Sequence, residues 1–338
     1  MSKKIAAFGE VMMRLQVPGY ELLSQANKLN YSFSGTGVNV LSALTNYGHE
    51  GYLVSALPTN PLGDAAASYL TKIGISKTFI VRTGDYLGQY FLETGFGFRP
   101  SRVTYSNRLE SSFNTAPETI YDFSEIARDV DVVHFCGITL AMNEATRNST
   151  RKFARAVKDG NGVVVFDCNY RPSLWGEDGY KKAKPYYEEL LSLADIVLMN
   201  EKDALHVLGM ETEKISRKEQ LMDLIPAVAE KFSIKVIAGT HRTVNEDQTH
   251  SLQGFLYKNN IFTFSESLTF MVHDRIGAGD AFTSGIIHGE MEGLSNEQTI
   301  AFAVYAGMLK HTTVGDTPVL SDVDIFESIS TRGGDIKR

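Results

Sequence analysis

The sequence predicts an α/β fold built on a mostly parallel, doubly wound sheet. Three observations support this prediction. Short apolar runs recur along the chain, helical segments with one apolar face separate them, and two stretches replace this rhythm with alternating aromatic and polar residues. Continuous apolar strands are typical of a parallel sheet covered on both faces, whereas alternation is typical of strands with one solvated face.

Six short apolar runs are predicted as buried strands because each is too short for a helix and is separated from the next by a helical segment. They cover residues 5–8, 51–57, 130–135, 163–167, 196–199 and 234–238. The predicted helices cover 38–47, 64–73, 144–158, 180–193, 201–208, 217–232, 281–291 and 297–311. In one of them, helical periodicity places Phe153, Ala154 and Val157 on a single face. Strands and helices therefore alternate as parallel sheets require.

Two stretches, 12–33 and 86–105, alternate aromatic and polar residues and are predicted to form antiparallel hairpins or meanders. No linker, repeat or low-complexity tract separates them from the rest of the chain. We therefore predict one domain over residues 1–330, with a small β-sheet lid formed by insertions 12–34 and 86–110. Residues 331–338 are expected to be a frayed tail.

Composition excludes several classes of partner. The 338 residues include 33 basic and 40 acidic side chains, and the net charge of -7 disfavours nucleic acid and anionic membranes. The two cysteines, Cys136 and Cys168, stand among apolar residues and are expected to be buried, inert thiols in a reducing compartment. The first apolar run is too short for a signal peptide, and none is long enough to span a bilayer. A cytoplasmic protein is expected.

The strongest motif is the turn Gly277-Ala278-Gly279-Asp280, which leads directly into a predicted helix. Backbone N–H groups at a helix N-terminus attract anions, and glycines allow close approach. The turn is therefore a candidate anion hole, beside which Asp280 could take a proton from an attacking hydroxyl. The same pattern equally fits an aspartate that only caps the helix. The turn has neither the ending of a Walker A loop nor the spacing of a dinucleotide fingerprint.

Two further groups follow predicted strands or precede predicted helices. The glycine cluster with Gly35 and Asn39 either brings its backbone close to a hydroxylated ligand or is a plain turn. Arg171 follows the strand 163–167 and falls at the carboxyl edge of the sheet, where ligands bind in doubly wound folds. A guanidinium there suits a carboxylate or phosphate, and a surface salt bridge is the alternative.

The segment from Asn200 to Asp203 follows another predicted strand and offers oxygen ligands for nucleotide-bound Mg²⁺. A helix cap with an acidic first turn explains it equally well. The histidines and cysteines have no zinc-site spacing, and no serine nucleophile elbow is present.

Taken together, these motifs resemble the signatures of the ribokinase-like, pfkB-type carbohydrate kinases, in the same order along nearly the whole chain. Residues 277–282 are similar to the C-terminal signature, and residues 34–39 with 61–64 to the N-terminal one. The resemblance implies a three-layer α/β/α fold with a lid over the sugar. It also implies that the turn forms an anion hole and that Asp280 deprotonates the acceptor hydroxyl.

Within that family, residues 166–175 resemble the Asn-x-Arg-Pro-x-Leu-Trp stretch of 2-keto-3-deoxygluconate kinases, which implies that Arg171 binds a substrate carboxylate. Residues 88–91 and 102–105 resemble the lid segments that carry Tyr90 and Tyr105, and residues 309–316 resemble the nucleotide-side C-terminal segment.

The chain departs from the family pattern at several positions. The arginine usually found two places after the second lid tyrosine is replaced by Asn107, with Arg108 next. Arg14 stands where ribokinases have an aspartate for sugar hydroxyls, which favours an anionic ligand. Asp203 replaces the final glutamate of the Asn-x-x-Glu motif, and Phe302 stands where an asparagine often faces adenine. The nucleotide loop, 237–242, also differs from its usual form.

The resemblance implies three sets of site residues. The catalytic set is Asp280 with Gly277, Ala278 and Gly279, and the substrate set is Gly35, Asn39, Tyr90, Tyr105, Arg108, Arg171 and Asp280. The ATP set is Asn200, Gly239, Thr240, Gly277, Gly279 and Phe302, and Asn200 and Asp203 are expected to hold Mg²⁺, directly or through water. A monovalent cation and a homodimer or larger assembly are further expectations.

The implied reaction is ATP-dependent phosphorylation of the 6-hydroxyl of 2-keto-3-deoxygluconate. One alternative is a kinase for fructose or another neutral sugar, which Arg171 and Arg14 disfavour. From other classes, the alternatives are a non-catalytic sugar- or nucleotide-binding regulator and a dinucleotide-dependent oxidoreductase. The absence of Gly-x-Gly-x-x-Gly after the first strand weakens the last of these.

Overall fold

The computed structural model describes residues 2–331. Its strands are β1 Lys4–Phe8, β2 Met12–Gln16, β3 Asn30–Ser34, β4 Glu50–Leu57, β5 Ile75–Ser76, β6 Ile80–Arg82, β7 Gly88–Glu93, β8 Arg102–Ser106, β9 Val132–Cys136, β10 Val163–Asp167, β11 Ile196–Leu198, β12 Val236–Val244, β13 His250–Lys258, β14 Ile261–Phe264 and β15 Leu268–Phe270. They form two sheets, a large one and a small one.

The α-helices lie between the strands or follow them. They are α1 Thr36–Asn46, α2 Pro61–Lys72, α3 Ser112–Thr115, α4 Phe123–Asp129, α5 Gly137–Leu140, α6 Glu144–Asp159, α7 Pro172–Trp175, α8 Gly179–Leu191, α9 Arg217–Phe232, α10 Ala278–Glu292, α11 Asn296–Lys310 and α12 Asp322–Thr331. A 3-10 turn covers Glu118–Ile120, and a π-helical turn covers Asp203–Val207. No helix in this part of the chain is both long and apolar enough to span a membrane.

The large sheet has the order β14-β13-β12-β11-β10-β9-β1-β4-β5, with β15 beside β13 and β6 beside β4. All pairs from β12 to β5 are parallel, and the pairs made by β13 are antiparallel. This confirms the predicted mostly parallel α/β sheet. The predicted strand 234–238 extends to Val244 because it continues into an antiparallel ladder with β13.

The core lies on both faces of the large sheet. Along β1, Ile5 and Ala7 belong to one apolar cluster, and Ala6 and Phe8 belong to the other. This alternation follows from the two-residue period of a strand, and it explains why the run is apolar at every position. On the predicted face of α6, Phe153 is fully buried and packs edge-on against the ring of Phe135.

The small sheet has the order β3-β2-β7-β8 and falls within the two predicted insertions. The pairs β2–β3 and β7–β8 are antiparallel, as predicted, but β2 and β7 pair in parallel. The prediction of purely antiparallel pairing was therefore wrong. The two hairpins come from separate insertions into a parallel sheet, and their first strands leave the same edge of that sheet in the same direction.

Most of the predicted tail, 331–338, lies outside the described residues. Thr331 itself is the last residue of α12. That helix packs against α11, with Ile325 buried and the ring of Phe326 5.0 Å from the ring of Phe302.

Candidate active site

A cleft of about 780 Å³ lies at the carboxyl edge of the parallel strands, between the large sheet and the small sheet. Its lining comes from the ends of β1, β9, β10, β11 and β12, from the small sheet, and from the start of α10. Ligands of doubly wound sheets bind at this edge, because the loops that follow the strands converge there. Most of the residues singled out in the sequence line this one cleft.

The Asp280 side chain lies in the first turn of α10 and does not cap the helix. Its Oδ2 accepts a hydrogen bond of 2.7 Å from Nδ2 of Asn39, and the side chain is buried. Burial raises the pKa of the Asp280 carboxyl to about 6, the charge of Asp316 adds to this, and the Asn39 hydrogen bond and the charge of Arg171 oppose it. A carboxylate with this pKa is ionised at neutral pH and is basic enough to accept a proton.

The turn before Asp280 requires glycine at its first position. Gly277 has φ of 85°, and a Cβ there would lie 1.9 Å from the carbonyl oxygen of Asp316. A Cβ at Gly279 would meet nothing within 4 Å, so this part of the turn is open to the cleft. The first N–H groups of a helix have no partner within it, so those that follow Gly277 are available to an anion.

The glycine cluster before α1 also lies on the cleft. A Cβ at Gly35 would lie 2.2 Å from the carbonyl oxygen of Glu10, so the close approach of the loop after β1 explains this glycine. Asn39, one turn into α1, is buried and holds the carboxylate of Asp280. Asn39 and Asp280 are 241 residues apart in the chain, so this hydrogen bond joins two glycine motifs that are distant in the sequence.

Replacing Asn39 with alanine should shift the pH range in which Asp280 can accept a proton. The variant loses the hydrogen bond that lowers the pKa of Asp280, so that pKa rises further above its usual value. Because the base must be ionised, the acid limb of kcat/KM should move to higher pH. The measurement is the pH profile of kcat/KM, with Asn46→Ala on the same helix as control. An acid limb that stays in place would show that Asp280 is not the titrating base.

Arg171 is exposed, lines the cleft and, within residues 2–331, makes no side-chain hydrogen bond or ion pair. The alternative of a surface salt bridge therefore does not hold in the described structure. Its charge acts on two cleft carboxylates, because it lowers the pKa values of Asp167 and Asp280 against the larger effect of burial. Arg171 is thus a cation available to an anionic ligand.

The two lid tyrosines face each other across β7 and β8, with their ring centroids 6.3 Å apart. The hydroxyl of Tyr90 donates to the Asp316 carboxylate and lies 3.2 Å from Oγ of Ser34, whereas Tyr105 is half exposed. Both rings line the cleft. Tyr90 is therefore fixed in position, and Tyr105 is the more open of the two.

Arg108 lines the cleft, but its charge is already balanced. Its Nε donates to Oε2 of Glu10 at 3.0 Å, its guanidinium stacks 4.7 Å from the ring centre of Tyr105, and Ser111 Oγ donates to the other Glu10 oxygen at 2.7 Å. Arg108 is therefore already paired within the protein, and its expected contact with the substrate stays a prediction. Glu10 was missed, although a carboxylate just after β1 at the carboxyl edge of the sheet was a usable signal.

Arg14 does not support an anionic ligand. Its side chain is 1% exposed, and its guanidinium pairs with Asp316 and, at 2.9 Å, with Asp274. Two carboxylates neutralise this one cation, so it holds the segments around residues 274 and 316 together. These pairings, across 260 and 302 residues, were not visible in the sequence.

The nucleotide-side residues Asn200, Asp203, Gly239 and Thr240 all line the cleft. The backbone N–H of Asn200 donates to Oδ2 of Asp203 at 2.9 Å, and Oδ1 of Asn200 accepts from the N–H of Lys202 at 2.9 Å. The segment therefore makes the hydrogen bonds of a helix cap and also lines the cleft. Close packing explains why residue 239 is glycine, because a Cβ there would lie 2.2 Å from the carbonyl oxygen of Met199.

A third carboxylate, Asp167 at the end of β10, was not recognised in the sequence. Burial and then the charge of Asp280 raise its pKa to about 8, while burial raises the pKa of Asp203 to about 6. Asp280 and Asp203 both raise the pKa of Asp167, and a divalent cation is favoured where negative carboxylates stand this close together. Within residues 2–331, no group of three or more ligating side chains is close enough to hold a metal ion unaided.

Phe302 does not belong to the site. It is fully buried on α11 and packs against the rings of Tyr47, His288 and Phe326, outside the cleft. The expectation that it faces adenine was therefore wrong, since it faces the core between α11 and α12.

Replacing Phe302 with leucine should affect stability and leave ATP binding unchanged. Leucine is smaller than phenylalanine, so the lost burial and the residual cavity at this fully buried site should cost about 1–3 kcal/mol of unfolding free energy. We expect denaturant unfolding to show this loss while KM for ATP stays at the wild-type value. A raised KM for ATP with an unchanged free energy of unfolding would show that Phe302 does belong to the nucleotide site.

Unpaired N–H groups at the start of α10, the buried carboxylate of Asp280 beside them and the unpaired Arg171 in the same cleft suit an enzyme that transfers an anionic group to a hydroxyl. A model of the pfkB family carbohydrate kinases matches residues 2–322. The chain belongs to this family, and it is an ATP-dependent sugar kinase with a ribokinase-like α/β fold.

Known proteins similar to this chain bear related names. The 2-dehydro-3-deoxygalactonokinase of Haloferax volcanii is 28% identical over 338 residues, with 99% of this chain and 98% of that protein covered. A structure solved as a candidate 2-keto-3-deoxygluconate kinase from Enterococcus faecalis has a TM-score of 0.96 and 37% identity, and the match covers 100% of this chain and 99% of that one. The 2-dehydro-3-deoxygluconokinase of Thermotoga maritima has a TM-score of 0.92 and 31% identity, covering 97% and 99%.

A more distant structural neighbour shows the same fold with a bound nucleotide. The structure described as ribokinase II from Escherichia coli, at 19% identity and a TM-score of 0.79, covers 98% of this chain and all of its own, and it holds ATP and Mg²⁺.

Proposed function

We propose that the enzyme phosphorylates the 6-hydroxyl of 2-keto-3-deoxygluconate with ATP, giving 2-keto-3-deoxy-6-phosphogluconate. The observation that carries the proposal is the unpaired Arg171, which faces the same cleft as Asp280 and suits the carboxylate of a sugar acid. The names of the similar proteins from Enterococcus faecalis and Thermotoga maritima point to the same substrate.

In the proposed mechanism, Asp280 accepts the proton of the acceptor's 6-hydroxyl as its oxygen attacks the γ-phosphorus of ATP. A new phosphorus–oxygen bond forms, the bond from the γ-phosphorus to the bridging oxygen breaks, and ADP leaves with that oxygen. The N–H groups after Gly277 face the negative charge that spreads over the transferred group. Such donors contribute about 2.7–4 kcal/mol each in acyl-transfer enzymes.

Arg171 orients the acceptor through its carboxylate, and Tyr90 and Tyr105 flank it from the small sheet. Most of the remaining rate enhancement comes from this positioning, which replaces a bimolecular encounter. Mg²⁺ would be held by Asn200 and Asp203, with Asp167 facing the same cleft, and it would neutralise phosphate charge.

The second candidate substrate is the galactonate epimer, which the name of the Haloferax volcanii relative favours. A panel of acceptors decides between the candidates: 2-keto-3-deoxygluconate, 2-keto-3-deoxygalactonate and fructose, each with ATP in a coupled assay for ADP. We expect the highest kcat/KM with 2-keto-3-deoxygluconate. A higher value with fructose would reject a sugar-acid kinase, and no ADP with any acceptor would favour a binding protein.

We also propose that the enzyme forms a homodimer or a larger assembly through the small sheet. Across its outer face, Tyr31, Leu15 and Phe91 stand side by side on β3, β2 and β7, and Tyr31 is 62% exposed. An apolar row on an exposed sheet is suited to contact with a second copy.

A cytoplasmic location is supported by the two free, buried thiols of Cys136 and Cys168. Dependence on a monovalent cation stays a prediction from the family resemblance.

A further inference from the structure

Two arginines at the nucleotide side of the cleft have no assigned role. Arg242 lies on β12, three residues after Gly239, and Arg275 lies two residues before Gly277. Both line the cleft; Arg275 is exposed and Arg242 is partly buried. They therefore flank the cleft from two elements that were already associated with ATP.

The charge of these two side chains is not balanced by the protein. Within residues 2–331, neither guanidinium pairs with a carboxylate, and Arg242 contacts only Nδ1 of His250, at 3.2 Å. Burial lowers the pKa of Arg242, and the charge of Arg275 lowers it further, so the two cations act on each other. Two other arginines in this region, Arg14 and Arg108, each have a carboxylate partner.

His250 provides a support for Arg242. Burial and then the charges of Arg242 and Arg275 lower the pKa of the His250 imidazole, so the ring is neutral at pH 7 and its Nδ1 accepts from the guanidinium. The neighbouring ring of His311 is neutral for the same reason, since burial lowers its pKa to about 4. His250 therefore holds the Arg242 cation without neutralising it, and an anion is the counter-charge that the two arginines lack.

We propose that Arg242 and Arg275 bind the polyphosphate chain of ATP, an inference that rests on the proposed function. They lie on β12 and before α10, beside Thr240 and Gly277, whereas Arg171 lies on the loop after β10, two strands from β12. Each guanidinium can contact phosphate oxygens bidentately. They also stabilise the charge that stays on ADP after transfer.

The test compares Arg242→Gln, Arg275→Gln and the double variant with Arg128→Gln, an exposed arginine outside the cleft. We expect KM for ATP to rise about tenfold in each single variant, because a hydrogen bond to a charged group is lost. KM for the acceptor should stay unchanged, and Arg128→Gln should match the wild type. Arg275 is exposed, so its replacement tests the proposal without a risk to folding.

Binding without turnover gives a second readout. Thermal unfolding is followed with inorganic tripolyphosphate or AMP, and we expect tripolyphosphate to stabilise the wild type more than AMP does. The double variant should lose this difference. An unchanged KM for ATP, an equal rise in KM for the acceptor, or an undiminished response to tripolyphosphate would overturn the proposal. If the wild type phosphorylates no acceptor, the proposed function fails, and the tripolyphosphate measurement still decides the role of the arginines.

Discussion

Replacing Asp280 with asparagine should lower turnover about 10²- to 10⁴-fold while binding of the sugar acid changes by less than about tenfold. Asparagine keeps the size of the side chain and its contact with Asn39, but it cannot accept the proton of the acceptor hydroxyl. The loss should therefore fall on kcat rather than on KM. Steady-state kinetics with a coupled ADP assay, together with calorimetric binding of the acceptor, separate the two effects.

A matched control is Asp195→Asn. Asp195 is also buried, but it lies at the opposite end of the fold, where it binds Lys158, Lys235 and the N–H of Val164. This variant should lose stability and keep its turnover. Near-normal turnover in Asp280→Asn, or an equal loss in both variants, would show that Asp280 is not the base.

Replacing Arg171 with glutamine should raise KM for sugar acids roughly 10- to 100-fold and leave neutral sugars unaffected. The estimate follows from the loss of a charge-assisted hydrogen bond of about 1.5–3 kcal/mol. Because Arg171 is exposed and, within the described residues, makes no side-chain hydrogen bond or ion pair, its replacement should not disturb the fold. Kinetics with 2-keto-3-deoxygluconate and fructose give the comparison.

The control for Arg171 is the same surface variant, Arg128→Gln, which should leave both substrates unchanged. An equal rise in KM for the acid and for the neutral sugar would contradict a carboxylate contact. Such a result would place Arg171 nearer to the phosphates than to the acceptor.

The strands and helices of the large sheet could be predicted because each follows from a local pattern. The apolar run of β1 and the apolar face of α6 need only their own residues to be recognised. The parallel pairing of β2 with β7 was missed, because it depends on where two distant insertions leave the sheet. Local periodicity contains no information on such a pairing.

The site residues also divide into those that a local motif could predict and those whose contacts depend on distant parts of the chain. Asp280 stood in a motif of neighbouring residues and could be singled out from it, whereas its hydrogen bond with Asn39 is seen only in the structure. By contrast, the sequence did not show that Arg14 and Arg108 are paired, because their partners Asp316 and Glu10 are 302 and 98 residues away. Whether a cation in a cleft is free or neutralised depends on such distant contacts, and only the folded structure shows them.

The most direct test of the central claim is the position of the phosphoryl group in the product. The enzyme is incubated with 2-keto-3-deoxygluconate, ATP and Mg²⁺, and the product is examined by phosphorus–proton correlated NMR. We expect one phosphorus coupled to the protons at C6, in an amount equal to the ADP formed. Phosphorus at another carbon, or ADP without a phosphorylated sugar acid, would contradict transfer to the 6-hydroxyl.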